Sequence, residues 1–129
     1  MRSVRPVVTV TAAALLAASL HAQQPADPTA SLKSKLRNLV TAQERYFASH
    51  GTYTTDVAAL GMFGARDSIW TQVIHAGGRS WSGRAIHQTA RSKSCVIYVG
   101  YVSDLPSPPI TDADSVRATK EGEPVCDRI

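Results

Sequence analysis

Residues 36–60 read LRNLVTAQERYFASHGTYTTDVAAL, and the reading of this stretch decides the fold. At about 100° per residue, Leu32, Leu36, Leu39, Val40, Tyr46 and Phe47 fall within an arc of roughly 120° on a helical wheel. Lys33, Arg37, Glu44 and Arg45 lie outside that arc. An apolar stripe of this kind must bury itself against a second layer of structure. Gly51 marks where the stripe stops, because glycine enters the left-handed conformation of a helix C-cap without a Cβ clash. The spacing predicts a helix over residues 31–49, with Thr29 or Ser31 capping its first turn. Its basic start, KSKLR, reads as a solvated face; the sharper reading is a docking surface for an acidic partner. Tyr53 is expected to fold back over the helix end. Thr55 is expected to cap a short turn over residues 56–60 that Gly61 ends, with Val57, Leu60, Met62 and Phe63 available for packing.

Upstream, residues 1–22 (MRSVRPVVTVTAAALLAASLHA) carry basic Arg2 and Arg5, then an apolar run, then small residues ending at Ala22. That is the layout of a secretory signal peptide cleaved after Ala22. The apolar run has about 14 residues against roughly 20 needed to span a bilayer, so an uncleaved anchor is the alternative and not the expectation. Residues 23–30, with Pro25 and Pro28, form an extended lead. Residues 31–129 are then one domain, with no room for a second. Of the 14 Lys+Arg, two leave with the signal, so the exported chain is only slightly basic against its 10 Asp+Glu. That balance does not argue for nucleic-acid binding.

Downstream, three strands are expected. Residues 68–76 (SIWTQVIHA) are rich in β-formers, and Gly77-Gly78 suits a two-residue hairpin turn. Residues 80–89 follow. Residues 95–102 (CVIYVGYV) are almost continuously apolar, as a central strand covered on both faces should be, with Cys95, Ile97, Val99 and Tyr101 on one side. Residues 104–109 (DLPSPP) are excluded from a central strand by their prolines. Residues 110–123 read as an irregular, partly mobile crossing, and residues 124–127 return to the body. The fold class is therefore α+β: an N-terminal amphipathic helix on a three- to four-stranded antiparallel sheet.

Residues 42–60 (AQERYFASHGTYTTDVAAL) resemble the helix-to-loop junction of type IV pilins and pseudopilins. In that family a helix bearing a Tyr/Phe pair runs into a Gly-x-Tyr loop and then an antiparallel sheet. WSGRAIH at 81–87, CVIYVG at 95–100 and EGEPVCD at 121–127 fit the same pattern, so the resemblance spans most of residues 31–129. It implies a pilin-like domain acting as a structural or interaction subunit beside a type IV pilus or a type II secretion-like system. The family's glycine cleavage site followed by a retained apolar helix is not found here, and no Glu precedes Glu44. Assembly into an ordinary pilus is therefore not expected, and the protein is expected in the periplasm or outside the cell.

Two cysteines in an exported chain most simply form one disulfide, Cys95 to Cys126. In pilins a disulfide likewise fastens a C-terminal loop to the sheet, so the resemblance implies the same pairing. The alternative is a redox or metal role, against which stands the absence of a Cys-x-x-Cys pair. His50, His75 and His87 have no close-spaced carboxylate or imidazole to complete a metal site. A two-residue turn at Gly77-Gly78 would place His75 near Ser80 and not opposite His87. No Gly-x-Ser-x-Gly elbow and no Gly-rich phosphate loop is present, so neither enzyme activity nor a cofactor is expected. The competing reading is a free binding module. Arg79, Arg84, Arg91 and Lys93, with Trp81 interleaved, would then form a basic hairpin gripping an anionic ligand or nucleic acid.

Overall fold

A computed structural model describes residues 27–62, 68–89 and 93–128. The signal segment with Ala22, the first half of the lead (residues 23–26), Phe63 and Arg91 lie outside the described residues. One helix, α1 (Pro28–His50), packs on a sheet of β1 (Ile69–Ala76), β2 (Trp81–His87), β3 (Ser94–Val99) and β4 (Val125–Cys126). The strands pair antiparallel in the order β1-β2-β3-β4, so β1 and β4 are the edges. This is the expected α+β architecture.

The helix starts three residues earlier than its apolar periodicity predicts. Asp27, and not Thr29 or Ser31, is the cap: its Oδ1 accepts the Thr29 N–H at 3.0 Å, and Pro28 occupies the first turn. A proline there forfeits no intrahelical bond and supplies a helical φ. At the other end Gly51 takes φ 69° and donates its N–H to the Phe47 carbonyl.

The buried stripe is Leu32, Leu36, Leu39 and Gln43, all fully enclosed. Gln43 stands where the wheel would place another aliphatic residue. Its Nε2 donates to the Thr54 carbonyl at 2.7 Å, and its Oε1 accepts the Thr54 N–H at 3.1 Å. One side chain thus satisfies both backbone groups of the returning loop. Replacing it with leucine is expected to cost about 2 kcal/mol, because two polar groups lose their partners. Chemical denaturation of Gln43→Leu beside wild type measures this directly. Tyr46 is not part of the core, and stacks on His50 one turn along at 3.9 Å. Phe47 instead meets Tyr53 at 4.8 Å, and the Tyr53 hydroxyl donates to Glu44, so Tyr53 does cover the helix end. The short turn after it is capped by Asp56 and not by Thr55, since Asp56 Oδ1 accepts the Ala58 and Ala59 N–H groups. Gly61 closes that turn at φ 72°, and Val57, Leu60 and Met62 pack on the core.

The β1–β2 turn is shifted by one residue from expectation. Gly77 donates to the Ser80 carbonyl, so Gly78 and Arg79 are its central pair, and neither glycine adopts positive φ. The register passes from Val73↔Gly83 to His75↔Ser82, leaving Ile74 as a bulge. His75 therefore lies opposite Ser82 and away from His87, which pairs with Ile69. Gly83 lets the helix sit directly on β2: a Cβ there would lie 2.8 Å from Leu39 Cδ2.

Alternation along β3 makes two cores. Cys95 and Ile97 join Leu32, Leu36, Leu39, Ile69, Val73, Trp81 and Ala85 under the helix. Val96 and Tyr98 face the other way, beneath Leu105, Ala118 and Val125. The strand stops at Val99, short of the expected residue 102. Gly100 takes φ 94°, and a Cβ on it would fall 2.1 Å from the Arg79 carbonyl oxygen. Tyr101 consequently leaves the sheet side predicted for it, and is 63% exposed beneath the Arg79 guanidinium.

Residues 105–124 cross back over the outer face of β3. They hold no regular strand, as the prolines require, yet they are fastened and not loose. Ala118 donates to the Pro109 carbonyl, Gly122 to the Tyr98 carbonyl, and Ile110 bridges to Arg117. The crossing ends in β4, where Cys95 and Cys126 pair in register and form the disulfide.

Candidate functional site

The helix closes one face of the sheet, and the crossing closes only part of the other. Over β1 and β2 the outer face stays open, and Trp70 and Ile74 stand 51% and 41% exposed there. Across from them Ile110 of the crossing is 47% exposed. Between Ile74 and Ile110 runs a groove of about 340 Å³, with Ser82 and Arg84 of β2 on its floor and Pro109 and Asp112 beside Ile110 on its far side. Apolar walls around a few convergent polar groups are the usual make-up of a binding site.

Arg84 is the one basic side chain lining this groove among the described residues. Its Nη1 donates to Asp112 Oδ1, which ties the sheet to the crossing. Its Nε is buried and has no partner among the described residues. Asp112 is itself positioned from behind, since its N–H donates to Ser94 Oγ at 2.8 Å.

Behind the groove Asp127 acts as a clasp. It is 4% exposed, and the donors that meet its carboxylate among the described residues are neutral. Oδ2 accepts from the Ser94 N–H at 2.9 Å and the Ser94 hydroxyl at 2.8 Å. Oδ1 accepts from the N–H groups of Ala113 and Asp114 at 3.1 and 2.8 Å. Burial pushes this carboxyl's pKa up, but the bonds from Thr111, Asp114 and Ser94 together outweigh it and hold the pKa below the ordinary carboxylate range.

The basic hairpin is not assembled as the sequence suggested. Trp81 is wholly buried in the main core, with its ring 6.5 Å from that of Tyr53, and is no surface platform. A strand residue preceding Gly83 by two points with it toward the helix, which alternation alone makes legible. Arg79 sits at the hairpin turn, paired with Asp104 at 3.1 Å and stacked on Tyr101. Arg84 is paired on the outer face, and Lys93 precedes β3 at the far end of β2 from Arg79.

The histidines also lie apart. His50 Nδ1 bonds to the Tyr46 carbonyl and His87 Nδ1 to Thr89. Among the described residues, no group of three or more His, Cys, Asp or Glu side chains is placed to hold a metal ion. Among them, too, no helix is long and apolar enough to cross a membrane. The disulfide points to an oxidising, extracytoplasmic compartment.

Sequence reasoning missed Gln43, the Asp127 clasp and the open groove. Asp127, directly after a bridged cysteine, was visible as a residue, but nothing in the sequence tells that donors 13 to 33 residues away converge on it. No protein-family model matches the chain, and a search of curated proteins finds no significant relative.

Proposed function

We propose that this protein is a non-enzymatic, secreted or periplasmic subunit of pilin-like architecture, working through protein–protein contact beside a type IV pilus or type II secretion-like system. The observation that carries this reading is the half-open outer face. Its helix-side counterpart is covered by α1, whereas Trp70, Ile74 and Ile110 are left large, apolar and exposed. Grouped exposed apolar residues of this kind mark interaction surfaces on soluble domains. The helix-on-sheet layout, the Tyr53 fold-back and the disulfide-fastened tail support the pilin-like side of the reading.

The test is a photo-crosslinking amino acid placed at position 70 in producing cells, with position 34 on the solvent side of α1 as control. Crosslinks from position 70 to an envelope filament or secretion subunit, and none from position 34, are expected. Salt-sensitive retention on a polyanion column that Arg91→Glu/Lys93→Glu abolishes, with no such crosslink, would replace this reading by the anionic-ligand module.

A further inference from the structure

The two cores divide the chain unequally. The core beneath α1 is built by α1, residues 53–62 and β1 to β3, with Cys126 at its margin, and no residue of 105–124 enters it. The outer core adds only Leu105, Ala118 and Val125 to the Val96 and Tyr98 side chains of β3. The other bonds that hold the middle of the crossing to the sheet are polar: Gly122 donates to the Tyr98 carbonyl, the Tyr98 hydroxyl to the Thr119 carbonyl, and Arg84 pairs with Asp112. Segments with few buried apolar contacts open ahead of the rest of a fold. The two ends of this segment differ in kind. At 101–104 the chain is pinned to the β1–β2 turn, where the Tyr101 N–H donates to Ser80 Oγ at 2.7 Å and Arg79 pairs with Asp104. At 126–127 it is held by the disulfide and the Asp127 clasp. Between them Ala118 donates to the Pro109 carbonyl and Thr111 to the Val116 carbonyl, so residues 109–118 keep a shape of their own.

We propose that the Cys95–Cys126 bond is the catch of a redox-closed strap: in the dithiol form α1 and β1 to β3 stay folded while residues 105–127 swing off the sheet about the anchored 101–104 segment, and oxidation shuts them down. Closing converts two thiols into one S–S bond. The two electrons and two protons pass to a disulfide oxidant, which leaves as a pair of thiols; opening is the reverse exchange, with a dithiol as reductant. The catch decides which surface the protein presents. Pro109, Ile110 and Asp112 form the far side of the groove, so the groove exists only in the bridged form. The dithiol form offers an open sheet instead, on which Val96 and Tyr98 join Trp70 and Ile74 as bare apolar surface. The strap requires no partner and stands apart from the function proposed above.

The test is amide hydrogen exchange at neutral pH, read by NMR on the 15N-labelled protein in its bridged form, after reduction with dithiothreitol, and after reoxidation with oxidised glutathione. On reduction the Gly122 and Asp127 amides, which bond to Tyr98 and Ser94 in the closed strap, are expected to exchange at least about 100-fold faster. The amides of Leu36 and Leu39 in α1 and of Ala85 in β2 should stay protected by at least about 100-fold over an unfolded chain. Reoxidation should return Gly122 and Asp127 to their first rates. Gly122 and Asp127 amides that remain slow in the dithiol form overturn the proposal, because the strap is then shut without its catch. Loss of protection in α1 and β2 together with the strap also overturns it, since the domain would then open as one unit. Either result leaves the position-70 crosslinks to be judged on their own.

Discussion

Asp127→Ala is expected to destabilise the domain by at least about 3 kcal/mol, since removing a buried acceptor strands several donors at roughly 1–3 kcal/mol each before relaxation. The donors at stake come from two places: Ser94 at the head of β3, and the Ala113–Asp114 turn in the crossing. Losing their common acceptor frees the crossing from the sheet, and Val96 and Tyr98 beneath it lose their cover. Asparagine is no remedy, because its NH2 group would face donors. The same carboxylate gives the protein an acid limit. Its pKa is lowered in the fold, so its contribution is complete above the usual carboxylate range of about 4 and fades as pH falls through the lower folded value. Urea unfolding between neutral pH and pH 2 should show wild type losing stability in acid. The Asp127→Ala curve should lack that component. Parallel curves would remove Asp127 from the account.

Loss of the disulfide is the second large effect. The Cys95–Cys126 bridge spans 31 residues in sequence, and the chain-entropy relation gives such a loop about 3–4 kcal/mol. Set against a total of roughly 5–10 kcal/mol for a domain of this size, that is a large share. Cys95→Ala/Cys126→Ala should therefore lower the urea midpoint markedly at neutral pH. Bridge and clasp are adjacent residues holding one tail to one strand, so their removals should not add. Once the bridge is gone the tail is already freer, and deleting Asp127 should then cost less than it does in the bridged protein. Strict additivity in the four-member cycle would mean that the two fasteners act on separate elements.

The helix, the sheet order and the disulfide were legible in the sequence because each rests on a local or nearly forced pattern. Leucines at helical spacing, a glycine stop, runs of β-formers and a single cysteine pair leave few alternatives. Boundaries were less legible. Asp27 begins the helix by a side-chain bond that periodicity does not contain, and Gly100 ends β3 through a close approach to Arg79 that only the fold creates. Polar residues were read least well. Gln43 looks like a break in the apolar stripe until Thr54, eleven residues on, turns out to need both ends of its amide. The basic hairpin failed for the converse reason, since charge clustered in sequence was cancelled in space by Asp104 and Asp112 from a distant segment.

The order of synthesis gives the tail clasp a further consequence. β3 leaves the ribosome 31 residues ahead of the cysteine that will bridge it and 33 ahead of the carboxylate that binds Ser94. At about 5–20 residues per second, that interval lasts roughly two to seven seconds. Throughout it Cys95 is a thiol without its mate, and the outer side of β3 has no roof. Helix and hairpin can already meet, but the half-made domain offers a sticky strand and a reactive sulfur to its neighbours. The outer side of β3 is thus completed only when the last residues of the tail, Cys126 and Asp127, are in place.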